Sequence, residues 1–376
     1  MRVLIVGAGV GGLAAARALS AGGHDVTVFE QADSLRRTGA AVTLWSNGTG
    51  VLNELDVRLG GVGAPIDAID ERDYRGRLLV SVNVARSAAH YGHPNICLPR
   101  RRLLERLAGG LPPGVVSFGR ACTGMTQDAA GVTARLADGT TAHGDLLVGA
   151  DGRGSVVRDQ IWGGDPAEPS GWATWQGVSP VPVDVTTSRR CVMFVGQAGL
   201  CGLMPAGEGL LQWWFDQRWV PGEPAPASPV TALRETFGGW AAPVPDVLAA
   251  VDDRDAGFFP HYRHPVPAVW GAGRVTVIGD AAHSMPPTRA QGANQALEDA
   301  WAMACALRQA RSAAGVPAAL RAFEKARSPK AALVARHASA EDINRYRPVL
   351  SRLIPGALAS RYYTRWLGQV SSYLSA

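Results

Sequence analysis

Arg274-Val-Thr-Val-Ile-Gly-Asp-Ala-Ala-His-Ser-Met-Pro-Pro-Thr-Arg-Ala-Gln-Gly-Ala-Asn-Gln-Ala-Leu-Glu-Asp-Ala-Trp301 is the stretch on which the reading of this chain turns. A short β-branched run, Val275 to Ile278, stops at Gly279-Asp280, and a Pro-rich turn follows. Gly292 then opens a segment whose apolar residues Ala293, Ala296, Leu297, Ala300, Trp301 and Ala304 recur at helical spacing. The pattern is a buried strand that delivers an acid to a loop, and a loop that delivers a helix N-terminus to the same place. Free N–H groups and the positive end of a helix dipole gather there, which suits the spot to holding developing negative charge.

Two further segments have the same grammar. Val3 to Val6 is an apolar run fit for a buried parallel strand. Gly7-Ala-Gly9-Val-Gly-Gly12 follows at once, then a helix expected over Leu13 to Ala21 and a second strand over Asp25 to Glu30. Glycines that let a backbone approach a pyrophosphate at a helix N-terminus, with an acid about 20 residues on to accept ribose hydroxyls, are the dinucleotide fingerprint. Here Glu30 stands 18 residues after Gly12. An acid at that point repels a 2′-phosphate, so FAD or NAD fits better than NADP. Leu146 to Gly149 is another buried run, ending in Asp151-Gly152, with Ser155 and Arg158 on a following helix. Asp151 reads either as a cofactor-side acid or as an ordinary helix cap.

Together the motifs resemble those of the group A FAD-dependent aromatic monooxygenases, which have the p-hydroxybenzoate hydroxylase-like fold. The resemblance covers essentially the whole chain, with the Gly-rich loop, Asp-Gly and Gly-Asp motifs in family order. It implies that Asp280 bonds the ribityl chain or pyrophosphate, and that the backbone of Gly292, Ala293 and Asn294 faces the pyrimidine edge of the flavin. By position it also implies FAD contacts for Gly7, Gly9, Gly12, Glu30, Arg36, Ala41, Arg100, the backbone at Cys122, and Asp151. Three departures bear on this. Ala41 replaces the last glycine of the family's Leu-Arg-x-x-Gly-Ala-Gly segment. Gln176 stands where Arg is usual after Trp175, which suits a neutral or phenolic substrate if the side chain faces the site. Arg289-Ala290 replaces small residues before Gln-Gly, and a guanidinium there can reach the substrate, the nicotinamide or solvent.

Composition is consistent with this class. At 376 residues with 47% hydrophobic content the chain can bury a large core. The net charge is +5, yet no basic run exceeds Arg100-Arg101-Arg102, so the clustered phosphate-tracking face of a nucleic-acid binder is missing. The five cysteines form no C-x-x-C pair and are odd in number, which argues for a reducing, cytoplasmic setting. No apolar run reaches bilayer length, and no metal cluster is expected.

From about residue 166 to 270 the character changes to short alternating runs broken by Pro and Gly, the mark of an antiparallel sheet, with helical stretches around Val230–Phe237 and Pro245–Val251. Val115 to Arg120 and Val132 to Leu136 read as strands of a small meander, and residues 71–96 as polar and strand-like. Of the adjacent Trp213 and Trp214 only one can line a cavity, because side chains alternate along a strand. Gln176, Trp213, His261 and Arg289 are the substrate-side candidates; His261 is also a candidate to assist deprotonation of a phenol.

The expectation is an α/β fold: a discontinuous Rossmann-like FAD-binding domain (1–70, 97–165, 271–340), an antiparallel-sheet substrate domain (71–96, 166–270) and a C-terminal helical segment (341–376). The resemblance implies a single-component monooxygenase, monomeric or homodimeric. It would use NADPH or NADH as transient co-substrate and O2, through a flavin C4a-hydroperoxide, to hydroxylate an aromatic or polycyclic molecule, as in natural-product tailoring. A related halogenase, epoxidase or reductase, or a non-catalytic FAD-binding protein, is the alternative. The halogenase box is not matched by Trp172-Ala-Thr-Trp175.

Overall fold

A computed structural model describes residues 1–35, 39–310, 312–346 and 353–376. The fold is α/β. Its first layer is a five-stranded sheet in the order Val275–Val277, Leu146–Gly149, Arg2–Val6, Asp25–Phe29, Val116–Ser117. All its pairings are parallel, with Val3 opposite both Val26 and Leu146. Strands covered on both faces must be apolar throughout, and Leu146–Gly149 and Val275–Val277 are buried at every position. Two helices, Val10–Ala21 and Gly292–Leu307, pack side by side over this sheet. Small residues permit the approach: a Cβ on Gly11 would lie 3.4 Å from the Ala296 Cβ.

The second layer is a seven-stranded sheet in the order Gly257–Arg263, Glu168–Ser179, Leu210–Arg218, Gly199–Gly207, Arg190–Gly196, Ala68–Asp73, Leu78–Asn83. It is antiparallel except where Arg190–Gly196 runs parallel to Ala68–Asp73. The strand Ala68–Asp73 crosses the boundary expected at residue 70. One face of the sheet is closed by the helices Pro229–Phe237 and Val244–Ala250. The other packs on a three-stranded sheet of Ala41–Leu44, Ile96–Pro99 and Ala64–Pro65 and on the helices Val316–Ser339 and Gly356–Val370, which share a third core with it.

Two expectations are corrected. Val116–Ser117 is the edge of the parallel sheet and belongs to no meander: Val28 and Glu30 donate their N–H groups to Val115 and Ser117. The meander is Cys122–Gln127, Val132–Leu136 and Thr141–Gly144. Within 71–96, Ala85–Tyr91 is a helix, stopped by Gly92 in the left-handed region. Among the described residues no helix is long and apolar enough to cross a membrane. All five cysteines are free thiols.

Candidate active site

The fingerprint loop is held by contacts that only glycine permits. Gly7 has φ +101°, and a Cβ there would lie 2.4 Å from the Ala150 carbonyl oxygen. At Gly12 a Cβ would lie 1.9 Å from the Gly7 carbonyl oxygen. Gly9 is different: a Cβ there meets nothing within 4 Å, so it opens onto free space at the helix N-terminus. No side chain caps that helix, which leaves its first N–H groups available. Glu30 lies just past its strand and accepts the Ala8 N–H (2.7 Å) and the Ala32 N–H (2.9 Å), one on each carboxylate oxygen. Each oxygen keeps a second lone pair for a ligand hydroxyl.

Asp151 packs against the same loop, its Cα 3.0 Å from where a Gly7 Cβ would be. It accepts the Ser155 hydroxyl and, at 3.3 Å, the Val157 N–H, so it braces the start of the next helix. Burial raises its pKa. Cys122 donates its thiol to the Gly124 carbonyl, and burial raises that pKa too. Arg100 opens the helix Arg100–Ala108 and is half-buried; its N–H reaches the Ala40 carbonyl, and Ala41 pairs with the preceding Pro99, so the 39–41 and 99–100 segments meet. Arg36 lies outside the described residues.

Gly279, at φ +59°, turns the chain after Val275–Val277 and donates its N–H to Asp299 at 2.9 Å. Asp280 is exposed, and no described group bonds its carboxylate. That carboxylate stands beside the N-terminus of Gly292–Leu307, 3.8 Å from where a Gly292 Cβ would be. This helix too has no side-chain cap and no acid in its first turn. The backbone of Gly292, Ala293 and Asn294 therefore forms an open, positive end. The Asn294 side chain has separate work: it accepts the Trp45 N–H (3.0 Å) and donates to the Thr43 and Ala290 carbonyls (3.0 and 2.8 Å).

Sequence reasoning missed what anchors this helix. Arg327, fully buried, bonds Asp299 (2.8 Å) and Glu298 (3.0 Å), and His283 lies 2.6 Å from the other oxygen of Asp299. Burial alone would raise the Asp299 pKa, but the His283 and Arg327 charges outweigh it and hold it at about 2.

On the substrate-side sheet, Gln176, Trp214, Gly202 and Met193 form one row across four strands. Gly202 makes room for the indole, since a Cβ there would lie 2.0 Å from the Trp214 ring. Trp214, Val178 and Met193 pack in one cluster with Met285 and Ala290 of the Gly-Asp loop and with Trp45 and Tyr363. Gln176 is half-buried. Trp213 points the other way, and its candidacy is corrected: it is fully buried against the helices, its indole N–H bonded to Ser179 at 3.1 Å. His261 is corrected as well. Its Nε2 lies 2.6 Å from the Thr174 hydroxyl and its Nδ1 3.0 Å from Glu341, so neither ring nitrogen is free to serve a ligand. Burial raises the neighbouring Asp216 to about 6, against the opposing pull of His261. Arg289 ends a short turn, Pro287–Arg289, and its Nε has no partner.

An open glycine loop, a carboxylate with spare lone pairs, an unbonded acid and a second open helix end fit a dinucleotide with an electron-accepting ring. A family model described as "FAD binding domain" matches residues 1–338. This chain belongs to the FAD-dependent monooxygenases. A FAD-dependent urate hydroxylase of Klebsiella pneumoniae subsp. pneumoniae is 32% identical over 333 residues, covering 87% of this chain and 86% of the relative. The aurachin C monooxygenase/isomerase of Stigmatella aurantiaca is 33% identical, covering 88% and 86%. The structure of Klebsiella pneumoniae HpxO complexed with FAD and uric acid is similar with TM-score 0.91 at 27% identity, over 98% of this chain and 97% of that one. FAD is accordingly the cofactor of this monooxygenase, and the sequence-level resemblance holds for the family and for the fold.

Proposed function

We propose that this monooxygenase is a single-component hydroxylase that draws electrons from NADH or NADPH and places one atom of O2 on an aromatic or polycyclic small molecule, in a natural-product tailoring step. The observation that carries this is the open N-terminus of Gly292–Leu307, with Asp280 beside it and an aromatic, sulfur-rich cluster packed against the preceding loop. When bound, FAD supplies oxygen-activating redox chemistry. The chain's residues bind and orient. Glu30 takes ribose hydroxyls, and Gly7, Gly9 and Gly12 admit the pyrophosphate to the first helix N-terminus. Asp280 bonds the linking chain, and Arg100, Ala41, Asp151 and the Cys122 backbone border the cofactor channel. The N–H groups of Gly292, Ala293 and Asn294 stabilise negative charge at the ring's pyrimidine edge, where a fixed dipole needs no reorganisation. Gln176 and Trp214 wall the substrate side and exclude water. The ring compounds named for the relatives, urate and aurachin C, support an aromatic substrate.

The test is anaerobic mixing of the FAD-loaded protein with NADH or NADPH, with and without pools of phenols, indoles and polycyclic quinols. One pool is expected to accelerate flavin reduction at least about tenfold, because substrate binding completes the site. If neither nicotinamide reduces the flavin with any pool, the reading fails.

A further inference from the structure

The helix Gly356–Val370 has two faces of unequal use. Its inner residues Trp366, Leu367 and Val370 are buried in the third core. Its outer residues Leu358, Arg361, Tyr362 and Arg365 recur at helical spacing and line an open cavity of about 1330 Å³, together with residues of Ala85–Tyr91 and Lys330 of Val316–Ser339. The outward face of a packed helix is ordinarily polar. Here Leu358 is 59% and Tyr362 67% exposed, and Leu353 (73%) and Ile354 (42%) lead into the helix. Single exposed apolar residues need no explanation, but four within ten residues of chain do.

The charge around them has one sign. Arg86, His90, Lys330, Arg361 and Arg365 line the cavity, and no Asp or Glu does. From Ile343 to Ala376 the chain carries Arg345, Arg347, Arg352, Arg361 and Arg365 and no acid, and Tyr74 to Leu104 has none either. Among the described residues, the side chains of Arg86, Arg361 and Arg365 form no ion pair or hydrogen bond. No basic run in the sequence announces this patch, because three helices assemble it.

These features narrow the occupant. A second copy meeting this face symmetrically would set the same cations against one another. A protein partner ordinarily meets an apolar centre with a polar rim around it, whereas here cations and apolar side chains alternate along the helix, as Leu358, Arg361, Tyr362, Arg365. That interleaving suits a lipid surface: apolar tips enter the acyl boundary while long arginine stems lift their guanidinium groups to the phosphates. A tyrosine, with an apolar ring and a polar tip, belongs at the same depth.

We propose that this face docks the monooxygenase on an anionic lipid bilayer, with Leu358 and Tyr362 inserted and Arg86, Arg361 and Arg365 on lipid phosphates. The chain lies on one leaflet and does not span it.

The test is flotation of the FAD-loaded protein with vesicles of phosphatidylcholine alone or with about 30% phosphatidylglycerol. The wild type is expected to partition at least about tenfold more strongly onto the anionic vesicles, and to lose most of that margin between about 50 and 500 mM NaCl. Each arginine is worth about fivefold, so the double variant Arg361→Gln/Arg365→Gln should weaken partitioning about 20-fold. Leu358→Ser should weaken it about tenfold. Both alter exposed side chains, so Tm should stay within about 1 °C and FAD content should be unchanged. Arg58→Gln/Arg254→Gln removes as much charge from two arginines that are each 82% exposed elsewhere, and should change partitioning less than about twofold. No flotation, equal partitioning onto neutral vesicles, or an equal loss from both double variants overturns the proposal. So does a dimer in sedimentation that Leu358→Ser dissociates, which assigns the face to a second copy. Binding to polyglutamate but not to vesicles assigns it to an acidic protein and overturns the proposal as well.

Discussion

Gly9 and Gly12 sit three residues apart in one loop, yet the structure assigns them opposite consequences. Gly9 has extended backbone (φ −76°, ψ −172°) that any residue adopts, and a Cβ there meets no atom within 4 Å. Gly9→Val therefore costs the fold nothing; by restricting the unfolded chain it should stabilise the apoprotein by about 0.4–1 kcal/mol. For a chain of this length that raises Tm by about 1 °C. The same side chain fills the space through which a pyrophosphate reaches the helix N-terminus. Losing one charge-assisted backbone bond, worth about 1.5–3 kcal/mol, weakens FAD about 10- to 150-fold. Gly12→Ala puts its Cβ 1.9 Å from the Gly7 carbonyl oxygen, and both sides of that clash are backbone. Relief needs a shift of the loop against the helix, a cost of about 3 kcal/mol or more, which lowers apoprotein Tm by about 4 °C. Circular dichroism melts of the apoproteins, with FAD affinity from quenching of its fluorescence, read both quantities. A Gly9→Val protein that binds FAD within about threefold of wild type would refute the placement of the pyrophosphate. A Gly9→Val protein that melts as low as Gly12→Ala would refute the claim that the space is open.

Asp280 bonds no described protein group, so Asp280→Ala should leave the apoprotein Tm unchanged while the purified protein loses most of its yellow colour; full FAD occupancy counts against the site. Asp216 has a folded pKa of about 6, above its ordinary 3.8, raised by burial. The stability it contributes is complete below pH ~3.8 and is lost as pH rises through ~6, at up to about 1.4 kcal/mol per pH unit. Asp216→Asn should flatten that part of the profile, so denaturant unfolding at pH 4, 5, 6 and 8 should show the difference between wild type and variant growing between pH 4 and 6 and constant above; parallel profiles refute it. Trp213→Ala removes a fully buried ring bonded to Ser179 and should cost about 3–5 kcal/mol, while Kd for any bound aromatic stays within about twofold; a selective loss of ligand affinity would return Trp213 to the substrate side.

The cofactor half was legible because its determinants are local. A buried strand, a glycine turn and a helix start are neighbours in sequence, and Glu30 is tied to the loop it serves through Ala8. The fingerprint helix nonetheless begins at Val10 rather than Leu13, because Gly11 and Gly12 are demanded by close approach to Ala296 and Gly7 and do not break the first turn. The helix Ala85–Tyr91 carried its signal, Ala-rich with Gly92 as its stop, but was overshadowed by the strands beside it. Val116–Ser117 could not be assigned, since a two-residue strand looks alike in either sheet and its partner, Asp25–Phe29, lies far away in sequence.

The substrate half was hidden for a different reason: which face of a strand looks at the ligand is decided by what the opposite face buries. Period-two alternation required Trp213 and Trp214 to diverge but was silent on direction. The direction is set across the strands. Gly177 leaves room for the Trp213 ring, since a Cβ there would lie 2.5 Å from it, and Gly202 leaves room for Trp214; then the helices Pro229–Phe237 and Val244–Ala250 close over the Trp213 side. A glycine opposite each tryptophan is visible in sequence only once the register is known. Charge was concealed in the same way. Glu298, Asp299 and Arg327 carry no local signal, and His261 looks like an available base, because Arg327 lies 28 and 29 residues from the two acids it bonds and Glu341 lies 80 from His261. Once paired and buried, such groups add little net stability, since desolvation consumes most of the Coulombic gain. What they do add is position: Arg327 tolerates one arrangement of Glu298 and Asp299, and Asp299 in turn holds the Gly279 N–H. The carboxylate of Asp280 and the open end at Gly292 are thereby fixed relative to each other, as the proposed seat of the cofactor ring requires.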